Sequence, residues 1–405
     1  MKSNIQPSFC IFLHKPAERN DIGDEELNVL DHVLFRFPDD YISNESFFGF
    51  INSIISIYTF TSIGFEAGDV NIIGFKDTKV GIRKVEIDNG EYIFFIARIP
   101  CTNSDSVVLS VVDKILNIVK FCLGANGIKN TTMLKNYLRK NGNFICNKIL
   151  KNNPLDLTFS QILSGTWNRS IIITAITELL IVNSNPSIWG IACFVESKLF
   201  ISHITSELVS YFEFADFNDN NQSTVYLTNL QRDKVCNFPH CESNIPKDQN
   251  EDIQCKLLKF DNYEVTFYLL VSPKITTDEI NDILKSLQSS FANMTQQYQQ
   301  YPDDPLPEFS SVYDKELLHL RSNNVKYPSK IANRQIFLHE MLNNDKRINE
   351  IILVTNNSQL HVCLRTQTLE FYSSNHFSND DIFNIALDST LKLLPDKAYL
   401  IEKYL

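Results

Sequence analysis

Histidines, cysteines and carboxylates are all present in this chain, but their spacing does not commit it to enzyme or metal chemistry. There is no G-x-x-x-x-G-K-[ST] phosphate cradle, no G-x-S-x-G nucleophile turn and no H-E-x-x-H metal helix. His339-Glu340 lacks the second histidine one turn on. Gly124-Ala-Asn-Gly127 lacks the length and the Lys-Ser/Thr that hold a nucleotide phosphate. The nearest approach to a metal motif is Cys236-Asn-Phe-Pro-His240-Cys241, with Cys255 downstream. Zinc takes four ligands, usually in paired C-x-x-C knuckles, and no fourth ligand is obvious here. The expectation is therefore no catalytic residue, no metal and no cofactor, which leaves the chemistry of surfaces.

Two segments offer such a surface. The first runs from Ser46 to Phe65 and contains no charged residue. Within it Phe47, Ile51, Ile54, Ile55 and Tyr58 follow helical spacing and form one apolar face, with Asn44 placed to cap the start. Gly49, Asn52, Ser53 and Ser56 recur at i, i+3, i+4, i+7 as a small neutral stripe on another face, flanked by Phe48, Phe50 and Ile57. A helix without charge on any side needs cover on both sides, from its own sheet and from something else. More of this chain, a partner polypeptide or a membrane could supply that second cover. Twenty uncharged residues are long enough to span a bilayer, but Asn52 and the Ser and Thr residues inside make the hydropathy marginal. The second segment lies between Asp113 and Asp156. It holds Lys114, Lys120, Lys129, Lys135, Arg139, Lys140, Lys148 and Lys151 and no acidic residue, within a chain of net charge −11. Such a segment is either an ordinary solvated helical connector or an attraction for anionic lipid head groups, with Lys135, Arg139, Lys140 and Lys148 as the contact residues. The acidic loop from Glu18 to Glu26 reads as solvated.

The composition sets the limits. The chain has 405 residues, 43% hydrophobic and 21% charged, with few Gly or Pro, so it can bury several cores. Its negative balance excludes sequence-independent binding to nucleic acid. Nine cysteines scattered from Cys10 to Cys363 read as reduced cytosolic thiols. The apolar run Phe9–Leu13 is too short for a signal peptide, and the protein is expected to be soluble.

The elements that position the two segments follow a repeating order. Phe9–Leu13 and Val33–Phe37 read as strands, followed by the uncharged helix. Val70–Phe75, Val80–Ile87 and Tyr92–Ile99 read as three more strands, the last two joined by Asp88-Asn89-Gly90, a hairpin signal. A helix from about Asp105 completes β-β-α-β-β-β-α, an α+β unit with an antiparallel sheet. The order echoes from Ile188 onward, through a capping box at Thr276 and Glu279. It echoes again after the linker Tyr301–Pro307, where Ile336–Leu338, Ile351–Thr355, Leu360–Leu364 and Leu369–Tyr372 read as strands and Asp380–Leu394 as a closing helix.

The residues also resemble a family. PSFCIFLHKPAERNDIGDEELNVLDHVLFRFPDD is similar to the opening of the Ccz, Hermansky–Pudlak and Inturned group of longin proteins: an apolar strand, an acidic insertion and a second strand ending in Phe37-Pro38. GIRKVEIDNGEYIFFIARIP, VVDKILNIVKFCLGANG and SIWGIACFVESKLFISHITSELVSYF continue the resemblance, which covers nearly the whole chain as a diffuse pattern without catalytic motifs. It implies three tandem longin-like domains, each a five-stranded antiparallel sheet flanked by helices, at 1–125, 186–298 and 308–405, with a helical connector at 126–185.

Members of the group act as one half of a heterodimeric guanine nucleotide exchange factor for Rab GTPases. Ccz pairs with a Mon subunit on late endosomes, and the Hermansky–Pudlak member serves lysosome-related organelles. Inturned works with Fuzzy in planar polarity and ciliogenesis. The resemblance implies a non-enzymatic Ccz-type subunit, cytoplasmic and peripherally bound to late endosomal, lysosomal or vacuolar membranes. A Mon-like subunit and a Rab GTPase would meet Phe48, Gly49, Asn52, Ser53, Ser56, Asn71, Ile72 and Ile73. A longin scaffold without exchange activity is the competing class.

Overall fold

A computed structural model describes residues 7–14, 32–38, 44–64, 71–87, 91–151, 162–164, 185–195, 198–202, 204, 206–232, 245, 252–262, 265–287, 310–314, 319–322, 329–354, 359–367 and 369–376. The chain divides into two compact units, Met1–Asn152 and Asn153–Leu405.

In the first unit β1 (Ser8–His14) and β2 (Val33–Phe37) form a hairpin, followed by helix α1 (Asn44–Gly64). Then come β3 (Ile72–Gly74), β4 (Thr78–Glu86) and β5 (Tyr92–Pro100). β5 returns to pair with β1, giving the antiparallel order β2-β1-β5-β4-β3. Strand alternation divides the side chains between two faces. Cys10, Phe12, Val80, Ile82, Phe94 and Ile96 meet Phe47, Ile51, Ile54 and Tyr58 of α1 in one core. The other face receives helix α2 (Asp105–Lys129) and helix α3 (Thr131–Lys151).

Two glycines, Gly81 on β4 and Gly142 on α3, let helix and sheet come close on that side. A Cβ on Gly81 would lie 2.9 Å from a Val108 methyl, and one on Gly142 would lie 2.5 Å from the Phe35 ring. Ser104 caps α2, its hydroxyl accepting from the Val107 amide, and Gly124 interrupts the helix at φ 71°, a conformation that suits glycine. Because α3 packs on β2, the first unit extends beyond residue 125, the boundary drawn from sequence, to Asn152.

The second unit carries two further sheets. One joins β7 (Ile188–Val195), β8 (Lys198–Ser202), β9 (Gln222–Leu227), β10 (Ile253–Asn262) and β11 (Val265–Val271) in the order β8-β7-β11-β10-β9. A short helix α4 (Ser206–Val209) follows β8. The capping box forms as the residues require: Glu279 Oε2 accepts from the Thr276 amide at 2.8 Å, and the Glu279 amide donates to Thr276 Oγ1 at 3.3 Å, opening a helix over 277–287.

The last sheet has the order β14-β15-β16-β12-β13-β6. It comprises β12 (Ser310–Asp314), β13 (His319–Ser322), β14 (Glu350–Val354), β15 (Gln359–Arg365), β16 (Leu369–His376) and β6 (Ile162–Ser164), which pairs parallel with β13. Apart from β6, all three sheets share one order: the first and fifth strands of each set lie side by side, and a helix follows the second.

The expectation of a strand at Ile336–Leu338 is corrected. Those residues belong to helix α5 (Ser329–Asn344), whose buried Ile331, Gln335, Leu338 and Leu342 have the 4-3-4 spacing of a helix. β12 and β13 form a hairpin ahead of that helix. Tyr301–Pro307, Asp380–Leu394 and the loop Glu18–Glu26 lie outside the described residues.

Candidate functional site

The outer face of α1 is open to solvent. Gly49, Asn52, Ser53 and Ser56 are exposed, and Ile57 and Phe60 stand beside them at 37% and 66% exposure. Gly49, Ser53, Ser56 and Phe60 recur at i, i+4, i+7, i+11, opposite the core-facing Phe47, Ile51, Ile54 and Tyr58. The Phe48 side chain lies outside the described residues. Two hydroxyls on this helix are spent internally. Ser53 Oγ donates to the Gly49 carbonyl at 2.7 Å, and Thr61 Oγ1 donates to the Ile57 carbonyl at 2.7 Å. The Ser53 back-bond lowers the demand of the outer face for water, whereas Thr61 stands by helical spacing on the side of the core. A Cβ placed on Gly49 would meet nothing within 4 Å. Among the described residues nothing closes on that position, although a mid-helix glycine costs about 0.5–1 kcal/mol relative to alanine.

β3 continues the site as the edge strand of its sheet, paired on one side with β4. Asn71 and Gly74 are exposed and Ile72 is half-buried, but Ile73 points into the α1 core and is not available to a partner through its side chain. Asn71 is held in place: its Oδ1 accepts from Arg83 Nη1 at 2.7 Å, while Arg83 grips Asp113 through Nε at 2.6 Å and Nη2 at 2.8 Å. That bidentate pair ties the edge to α2. Between α1 and β3, the Phe50 ring lies 6.4 Å from the 40%-exposed Phe75, with the Arg98 guanidinium 5.3 Å above Phe50. Phe50 also borders a shallow open pocket that Cys10, Arg36, Phe47, Ile96 and Arg98 help to line. The arrangement is a neutral ridge beside a short free edge with two cations at one end, suited to gripping another polypeptide. Phe60 escapes a sequence reading that stops the stripe at Ser56, although it stands at i+11 from Gly49.

The four expected lipid contacts divide. Arg139, Lys140 and Lys148 are exposed on α3 and Lys135 is half-buried, and by helical spacing Lys135 and Arg139 share one flank while Lys140 and Lys148 share another. Among the described residues no helix is long and apolar enough to cross a membrane. Cys236, His240 and Cys241 lie outside the described residues. Cys255 sits wholly buried in β10, where desolvation raises its thiol well above the ordinary range, so it is a core residue and a poor metal ligand. Among the described residues no cluster of three His, Cys, Asp or Glu is placed to hold a metal.

One cluster had no sequence signal. In the last sheet the Glu370 carboxylate is 1% exposed and receives His339 Nδ1 at 2.8 Å, Arg365 Nε at 3.2 Å and the Tyr372 hydroxyl. Burial alone would raise this carboxyl; the bonds from His339 and Tyr372 and the charge of Arg365 outweigh it and hold Glu370 below its usual value. Asn343 meets His339 Nε2 at 2.9 Å, and Gln335 accepts from Ser311 at 3.1 Å, so the network fastens α5 to its sheet. No protein-family model matches this chain, and no curated protein matches its sequence.

Proposed function

We propose that this chain is one subunit of a heterodimeric guanine nucleotide exchange factor for a Rab GTPase. It would be built from three longin-like units, partnered by a Mon-like longin subunit and bound peripherally to late endosomal, lysosomal or vacuolar membranes. The observation that carries the reading is the exposed, charge-free outer face of α1 with open space above Gly49. A face of this kind can pack closely against a second longin helix without burying an unpaired charge. The strand order common to the three sheets supports a tandem array of one fold.

The mechanism asks for no nucleophile. A GTPase holds its nucleotide through phosphate-loop amides and Mg²⁺, and an exchange factor speeds release by binding the nucleotide-free form more tightly than the loaded one. The attainable shift equals that difference in affinity, about 5.5 kcal/mol for a population change of about ten-thousandfold. In this reading Gly49, Asn52, Ser53 and Ser56, extended by Ile57, Phe60 and the β3 edge, form the contact surface shared by the sister subunit and the Rab.

The test is nucleotide release from a panel of Rab GTPases, measured with the chain alone and with a co-purified longin partner. Acceleration by the pair alone is expected. A stable pair that accelerates none of the panel would sink the exchange reading and leave assembly as the role of these units.

A further inference from the structure

We propose that the solvent face of α3 docks on an anionic lipid bilayer, with Lys140 and Lys148 at the head groups and Met133 and Phe144 entering the interface. This surface is separate from the α1 ridge and does not depend on the exchange reading.

The argument begins with which side of α3 is spoken for. Leu134, Leu138, Ile145, Cys146 and Ile149 are buried, and Gly142 lies against the Phe35 ring, so one face belongs to the sheet. On the far side Met133 is 49% exposed and Phe144 52% exposed. Residues 133, 140, 144 and 148 fall at i, i+7, i+11, i+15, a single stripe along the helix. The start of the stripe is fixed, because Asn130 Oδ1 accepts from the Met133 amide at 3.1 Å and caps the first turn. At the other end the Lys148 ammonium sits 5.9 Å from the Phe144 ring centroid, joining cation and apolar body in one patch. Asn136, Asn143 and Asn147 lie beside the stripe, and no acidic residue occurs on α3 or anywhere between Asp113 and Asp156.

Charge complementarity selects the occupant. Exposed lysines on a helix that has no acidic residue of its own draw that face to a negative surface. The two exposed apolar side chains are eleven residues apart, roughly 16 Å along the axis, with lysines between and beyond them. That spread fits a helix lying in the plane of a bilayer, where lysine stems reach up to the phosphates and apolar groups reach down. A protein groove that takes an amphipathic helix asks instead for a continuous apolar stripe.

The experiment is flotation of the full chain with phosphatidylcholine vesicles, with and without phosphatidylserine, at low and raised salt. Binding is expected only with phosphatidylserine and is expected to fall as salt rises. Lys140→Glu with Lys148→Glu should weaken it by about fivefold or more per residue, the equivalent of about 1 kcal/mol each. Phe144→Ser should cost a further several-fold, roughly in proportion to the apolar area withdrawn. Lys135→Glu with Arg139→Glu, on the other flank, should cost clearly less. All three variants change residues at or near the surface, and thermal melting checks that each is folded. Equal binding to neutral vesicles, no loss in the Lys140/Lys148 and Phe144 variants, or an equal loss from the Lys135/Arg139 variant overturns the proposal. So does retention by an acidic protein with no vesicle binding. No GTPase is present in the assay, so its result is independent of whether the chain promotes exchange.

Discussion

Helices α1 and α5 each follow the second strand of sheets that share one order of five strands, yet they are held by different chemistry. The inner face of α1 is apolar: Phe47, Ile51, Ile54 and Tyr58 lock into the sheet. The inner face of α5 is partly polar, with Gln335 and His339 reaching Ser311, Glu370 and Tyr372 across the sheet. Among the described residues around β12, Val312, Leu369 and Phe371 gather into one apolar cluster, and Ile331, Leu338 and Leu342 of α5 are buried as well. The lesson is that one topology tolerates either solution. Where an apolar core is plentiful, the helix can leave its outer face free for another molecule. Where polar groups share the inner face, directional bonds add to the apolar contacts that hold the helix.

The sharpest way to break this comparison is to remove Glu370. Glu370→Ala takes the carboxylate away from the Arg365 guanidinium and the His339 ring, and should lower the stability of the second unit by about 3–5 kcal/mol in urea or guanidinium unfolding. The associated pH dependence has a definite sign. The folded carboxyl lies below its unfolded value, about 4.3. Its contribution is therefore complete above that value and disappears as pH falls through the lower folded one. Parent and Glu370→Gln chains should differ at neutral pH and converge in acid; a difference that grows on acidification contradicts the network.

On the apolar side Ile51→Ala should cost about 3 kcal/mol through lost burial and a cavity, read from the unfolding midpoint of the first unit. A loss much below 1 kcal/mol would mean that α1 is not anchored as described.

The outer face should behave oppositely. Ser56→Arg and Phe60→Ser should move stability by no more than about 0.5 kcal/mol while weakening capture of a longin partner by about tenfold, measured by titration of the purified subunits. If instead they unfold the chain, the face is structural.

The smallest effect belongs to Gly49→Ala, which should raise thermal stability by about 0.5–1 kcal/mol because the new methyl meets open space. Partner affinity should fall in the same variant, since the added Cβ stands where a second backbone would approach.

Local patterns made several elements of both units legible in the sequence. The spacing of Phe47, Ile51, Ile54 and Tyr58, the hairpin around Asp88–Gly90 and the Thr276–Glu279 capping box each depend on residues a few positions apart, and sequence order records such relations directly. Ile55, read with the core, is half-buried at its margin. The same logic failed at Ile336–Leu338, where a short apolar run fits helix and strand equally and only the burial of Ile331 and Leu342 decides.

The sequence by itself determined that one helix would carry no charge, that one segment would carry no acid, and that strand and helix would alternate in a repeated order. Only the tertiary structure decided which sides of those helices remain open. It joined Phe60 to the α1 ridge, withdrew Ile73 into the core, and placed Lys140 and Lys148 with Phe144 while setting Lys135 and Arg139 apart. It also brought His339 to Glu370 and Tyr372 over a separation of thirty-one residues and more. Composition and period fix what a face is made of, but exposure depends on what packs against it, and that comes from parts of the chain far away in sequence.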